Sequence, residues 1–205
     1  MYWSPDNIIA DIDGTVCLAL GASPRGYDRA YCGAEIRLVT AASTGTWSWT
    51  AQAPIMEAGA VFGMFTYKAD WQNDPWIEFD FEFVGADTRC VQLNIHMETI
   101  NEEHVTLEQA NGGRPVVVEL DFDAAAAFHL YEITITESEV IFSVDCVTVG
   151  RFSAKNMPNH TWIRGDMHGF ANVWCVDSDL QSWAGEWRHS QPRLIARLAV
   201  LNVRQ

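Results

Sequence analysis

Cationic side chains are scarce: 13 Lys and Arg stand against 27 Asp and Glu, leaving the 205-residue chain with a formal net charge of -14. A field of that sign repels phosphate backbones and anionic lipid and leaves neutral ligands unaffected, so nucleic acid is excluded as an expected partner. Long apolar runs are also missing. None reaches the roughly 18 residues of a membrane span, and the opening MYWSPDNIIADIDG has no basic stretch ahead of an apolar one. No membrane association is expected. The five cysteines, Cys17, Cys32, Cys90, Cys146 and Cys175, include no Cys-x-x-Cys pair, and their odd number leaves at least one thiol unpaired in a monomer. The six histidines show no His-x-x-x-His or His-Glu-x-x-His spacing, and no serine sits in Gly-x-Ser-x-Gly, so zinc and serine hydrolase chemistry lack their signatures. Repeats and low-complexity linkers are absent, which leaves residues 1–205 as one domain.

Aromatic residues are plentiful, with 9 Trp and 10 Phe in a chain that is 48% hydrophobic, enough for a core and for flat apolar surface besides. Short runs rich in β-branched and aromatic residues recur: 34–40, 60–67, 76–84, 90–97, 116–120, 131–136, 140–144 and, last, 194–203. Between them fall turn signals such as Asn73-Asp74-Pro75, Gly112-Gly113 and Pro158-Asn159. This rhythm predicts an all-β antiparallel sandwich. Only Asp123 to Ala127 invites a helical turn.

One strand has two unlike faces. From Trp76 to Phe83 the residues alternate strictly, placing Ile77, Phe79, Phe81 and Phe83 on one side and Trp76, Glu78, Asp80 and Glu82 on the other. A solvated acidic face is the plain reading, but three like charges side by side repel, and an ordinary surface would mix in Lys, Arg or Thr. Glycoside hydrolysis gives such a face a use: one carboxylate attacks and a second, kept protonated, donates to the leaving oxygen. Residues i and i+4 of a strand are roughly 13 Å apart at Cα, so curvature must draw Glu78 and Glu82 together. Asp80 between them would hydrogen-bond to Glu78, and its negative charge would help keep Glu82 protonated.

Glu78-Phe79-Asp80-Phe81-Glu82-Phe83-Val84-Gly85 resembles the catalytic strand of glycoside hydrolase family 16, Glu-x-Asp-x-Glu, in the form without a bulge that lichenases and succinoglycan depolymerases carry. The resemblance runs in order from Pro5-Asp6-Asn7-Ile8 and Asp13-Gly14-Thr15, through Gln92-Leu93-Asn94, to Asn172-Val173-Trp174 and Trp183-Ala184-Gly185. It implies a concanavalin-A-like jelly roll with an open concave cleft, and a retaining endo-glycosidase with Glu78 as nucleophile, Glu82 as acid/base and Asp80 assisting. The matching substrate contacts are Glu35 and Arg37, Phe65 and Tyr67, Trp76, Asn94, Asn172, Trp174 and Trp183. His96 stands where lichenases often carry Tyr, and Glu103 corresponds to another cleft acid. The implied partner is a glucose-containing polysaccharide, a β-1,3-1,4-glucan or a bacterial exopolysaccharide, met by a monomer in an extracellular or periplasmic setting. No cofactor is expected. A structural calcium is the one candidate, and the final strand reads Ala196-Arg197-Leu198-Ala199 where relatives commonly place its Asp.

Ile8 to Thr15 also resembles the Asp-x-Asp-Gly-Thr motif of haloacid-dehalogenase-like phosphatases. That fold needs alternating strands and helices, whereas helical periodicity is nearly absent, so Asp13-Gly14 reads as a turn between strands. Two other functions compete with hydrolysis: a non-catalytic glycan-binding module, which should have lost the acids before the aromatics, and a transglycosylase using the same site.

Overall fold

The computed structural model describes residues 1–205 and arranges them in fifteen strands. They are β1 (Tyr2–Trp3), β2 (Ile8–Ala10), β3 (Val16–Ala22), β4 (Tyr31–Ala42), β5 (Gly45–Gln52), β6 (Ala60–Lys68), β7 (Ile77–Val84) and β8 (Cys90–Glu98). There follow β9 (His104–Thr106), β10 (Val116–Glu119), β11 (His129–Ile135), β12 (Glu139–Val144), β13 (Val147–Ser153), β14 (Met167–Cys175) and β15 (Arg193–Arg204). Two one-turn α-helices, α1 (Leu107–Ala110) and α2 (Gln181–Ala184), and four three-residue 3₁₀ turns complete the chain, and no helix is long and apolar enough to cross a membrane.

Strand order divides the chain into two layers, β10-β8-β7-β6-β14-β4 and β3-β15-β5-β11-β12-β13. β4 joins them: its Tyr31–Cys32 end pairs with β3, while residues 34–42 pair with β14. The crossing depends on Gly33, where an added Cβ would lie 2.3 Å from the Val173 carbonyl oxygen. Apart from the two-residue β1 beside β4, which is parallel, the pairings are antiparallel. This is the jelly-roll sandwich expected from the sequence. The Asp13-Gly14 turn also joins strands, since β2 and β3 pair antiparallel across it.

The apolar face of β7 supplies the middle of the core. Phe79, Phe81 and Phe83 are fully buried with Trp47, Trp49, Tyr131 and Phe142. The Phe81 ring meets Tyr131 and Phe142 of the opposite layer edge-on at 5.6 and 5.1 Å, and Phe83 meets Tyr131 at 5.9 Å. Trp49 Nε1 donates across the layers to the Phe170 carbonyl at 2.8 Å, which removes the penalty of burying an unpaired indole N–H. Because every second side chain of β7 is spent on this core, its acids are turned outward.

The helical expectation for Asp123–Ala127 is corrected. Asp123 Oδ1 instead accepts from Ala125 N (3.0 Å) and the Thr88 hydroxyl (2.6 Å), closing an Asp-led turn that no helix continues. The helices form elsewhere, and α1 starts at a capping box in which Thr106 and Gln109 satisfy one another's backbone N–H groups.

Candidate active site

β7 pairs with β6 and β8 without a register shift, so no bulge interrupts the acids. Tyr67, Phe65 and Gly63 of β6 lie opposite Glu78, Asp80 and Glu82, while His96, Asn94 and Gln92 of β8 lie opposite the same three from the other side. Gly63 leaves the floor clear beside Glu82, since a Cβ there would come within 2.8 Å of Asn172 Oδ1.

The carboxyl groups share one low-dielectric pocket, and their protons are ordered by it. Burial pushes Glu78 up to about 7, aided by the charge of Glu35 and opposed by hydrogen bonds from Trp76 and Asp80. Trp76 Nε1 donates to Glu78 Oε2 at 2.6 Å. Glu82 is pushed up to about 8 by burial first, then by the charges of Glu78 and Glu108. Asp80 is raised well above the carboxylate range by burial, by both glutamates, and by the hydrogen bond it gives Glu78. Of the charges that raise Glu82, that of Glu108 comes from α1, a segment distant in sequence.

Two hollows meet at Glu82 and Trp174. The larger, about 570 Å³, is lined by Glu35, Arg37, Phe65, Tyr67, Trp76, Asn172 and the three acids, together with Trp3, Trp71 and Phe170. Within it Asn172 Nδ2 donates to Glu35 Oε2 (3.1 Å), and Phe65 stacks on Phe170 at 5.1 Å. Asn172 Oδ1, which lies over Gly63, is buried without a partner and so remains a free acceptor. The smaller hollow holds Asn94, His96 and Trp183, with Gln92 and Glu108. There Trp183 Nε1 donates to Gln92 Oε1 at 2.9 Å and Trp174 leans on Trp183 at 6.2 Å.

Thirteen of the fourteen sequence candidates thus line the cleft, and Glu103 does not. It borders a separate depression with Thr99, Asn101 and Trp162. The reason is the fold-back of β9 on β8, which sets His104 opposite Glu98 with its exposed ring against Trp76 at the cleft margin and leaves Glu103 outside the paired segment. Sequence reasoning missed Trp3, Trp71, Phe170, His104 and Glu108. Trp71 was legible in principle, being a tryptophan inside the turn-rich segment 69–75 with no alternation to bury it. It is 69% exposed, yet its loop is braced: Asp70 carboxylate oxygens accept from Gln72 N (3.0 Å), Asn73 N (3.2 Å) and Asn73 Nδ2 (2.6 Å).

With that geometry in place, comparison with known proteins gives the lineage. The model of the family described as Glycosyl hydrolases family 16 matches residues 1–189. The chain belongs to that family. Among curated relatives, a beta-glucanase of Paenibacillus macerans is 27% identical over 190 residues, 93% of this chain and 71% of that one. A beta-glucanase of Bacillus subtilis (strain 168) is 32% identical over 143 residues, covering 70% of this chain and 53% of that one. Among solved structures, a prokaryotic beta-1,3-1,4-glucanase (lichenase) derived from a mouse hindgut metagenome superposes with a TM-score of 0.76 at 25% identity, over 96% of this chain and 82% of that one. This family 16 member is therefore a glycoside hydrolase of the lichenase-like branch, in keeping with its unbulged strand.

Proposed function

We propose that the protein is a retaining endo-glycosidase that cuts internal β-linkages of a glucose-containing polysaccharide, a β-1,3-1,4-glucan first. The carrying observation is geometric: Glu78, Asp80 and Glu82 stand on one face of an unbulged strand and together line the cleft. In the first displacement a Glu78 carboxylate oxygen attacks the anomeric carbon, the bond to the leaving oxygen breaks, and Glu82 gives that oxygen its proton. In the second, Glu82 takes a proton from water as the water oxygen attacks the same carbon, and Glu78 departs as carboxylate. The hydrogen bond between Asp80 and Glu78 favours the charged nucleophile. Glycone sugars would lie over Glu35, Arg37 and Asn172, and aglycone sugars over Asn94, His96 and Trp183. All these groups come from one chain, so a monomer suffices, and an extracellular or periplasmic setting is where such a substrate is met.

The test is a reducing-sugar screen over barley β-glucan, laminarin, xyloglucan, agarose and succinoglycan, with Glu78→Gln as control. Release from β-glucan that vanishes in the control is expected; silence on all five substrates would refute the reading.

Two further outcomes follow from the site. Activity needs Glu78 ionised and Glu82 protonated, so kcat/KM should trace a narrow bell, falling below about 7 as Glu78 takes a proton and above about 8 as Glu82 loses one. A profile still flat at pH 10 would rule out Glu82 as the acid. Trp71→Ala should raise KM for long β-glucan chains about fivefold to tenfold while kcat holds, because an exposed indole offers sugar binding that is uniform along the reaction. Steady-state kinetics on a ladder of oligosaccharides reads this directly, and an unchanged KM at every length would show the indole to be idle.

A further inference from the structure

Trp76 is held from three sides. Its Nε1 donates to Glu78 at 2.6 Å, its backbone N donates to Glu98 Oε2 at 2.9 Å, and its ring lies on the imidazole of His104 with centroids 4.2 Å apart and planes 11° from parallel. His104 lines neither hollow of the cleft. Its Nε2 lies 2.9 Å from His96 Nδ1, and His96 Nε2 lies 3.0 Å from Asn94 Nδ2. An amide nitrogen can only donate, so His96 accepts at Nε2, carries its proton on Nδ1, and donates that proton to His104. The same His96 Nε2 is 3.7 Å from Asp80 Oδ2, an oxygen buried without a hydrogen-bond partner.

We propose that His104 is a positioning residue of the glycosidase reaction: its ring braces Trp76 so that the indole N–H stays on Glu78, and its lone pair fixes the tautomer of His96 beside Asp80. The inference rests on the reading of Glu78 as nucleophile. Stacking supplies the brace because two flat rings in van der Waals contact resist tilting of the indole, and tilting would break the 2.6 Å bond. The groups facing the pair are Glu98 across from His104 on β8, and Glu78 and Asp80 on β7. Burial lowers His104 against the opposing charge of Glu98, and burial followed by the His104 charge lowers His96 to about 4, so both rings are neutral where the enzyme works. A neutral His104 keeps the lone pair that the link to His96 requires.

The consequence is specific. The Trp76 hydrogen bond holds Glu78 down, so loosening Trp76 must move the acid limb of the pH profile upward, an effect that plain loss of packing would not produce. The experiment compares wild type, His104→Ala, His104→Phe, Trp76→Phe and the double variant Trp76→Phe/His104→Ala on barley β-glucan, with Glu78→Gln as control. His104→Ala is expected to lower kcat about tenfold with KM within about twofold, and to raise the acid limb by roughly half a pH unit. His104→Phe keeps the stack without the acceptor and should fall between, which also serves if the alanine variant folds poorly. Trp76→Phe should raise the limb by itself, and adding His104→Ala to it should move the limb no further, because the limb is set through the single indole bond to Glu78, while kcat falls only by the share that His104 exerts through His96. An unmoved acid limb in both His104 variants, or limb shifts that simply add in the double variant, would overturn the inference while a dead Glu78→Gln enzyme left the site reading intact. A Glu78→Gln enzyme as active as wild type would sink both.

Discussion

Replacing Glu78 by glutamine is expected to lower kcat on β-glucan by about 10⁴-fold or more, a loss of roughly 5.5 kcal/mol in transition-state stabilisation. An amide neither attacks the anomeric carbon nor leaves from it, whereas its size and its contact with Trp76 are retained. Folding should not suffer. Glu78 sits at about 7 in the fold against 4.5 for an unperturbed glutamate, so its favourable contribution is complete below 4.5 and is lost as pH rises through about 7. At pH 8 the wild-type carboxylate therefore opposes folding, and the glutamine variant should melt no lower than wild type and higher if anything. At pH 4 the two should match. Initial rates and thermal melts at the two pH values separate a chemical loss from a structural one; a variant that is inactive and also unfolds early at pH 8 would leave the assignment unsupported.

The second large effect is structural and lies one residue from the chemistry. Phe81→Ala is expected to destabilise the fold by about 3–5 kcal/mol, which for a chain of this size lowers the midpoint by roughly 10 °C. Phe81 is fully buried and is the ring on which Tyr131 and Phe142 of the other layer converge. Truncation would leave a cavity between the sheets directly behind Asp80 and Glu82, so activity should also fall well below the melting transition. By contrast Ile100, 95% exposed, should tolerate serine within about 0.5 kcal/mol. Urea unfolding of both variants checks the contrast, and a Phe81→Ala penalty under about 1 kcal/mol would mean that the two layers do not meet there.

The same strand explains what could be read from sequence and what could not. Alternation exposed β7 because its two faces differ so sharply, and the other expected strands were legible for the same reason. β14 was visible only as a resemblance, since Met167–Cys175 is apolar on both faces over much of its length and carries no clean period. The short helices were missed because four residues are too few for a 3.6-residue period to appear. Contacts between distant segments were beyond the sequence altogether. Nothing near position 82 announces that Glu108 will stand close enough to raise its proton affinity, and nothing near position 76 announces His104. The fold-back decided Glu103: a turn at Thr99, where Glu103 O accepts from Thr99 N at 2.9 Å, set which residue of β9 meets Trp76.

The central claim is that one strand supplies both the nucleophile and the acid/base of a double displacement. Proton NMR of the first minutes of oligosaccharide hydrolysis tests it most directly, by following the anomeric signal of the newly formed reducing end. The β anomer should appear first, with the α anomer growing in only at the rate of mutarotation. If the α anomer appears first, water has attacked in a single inversion, no adduct forms on Glu78, and the account is wrong.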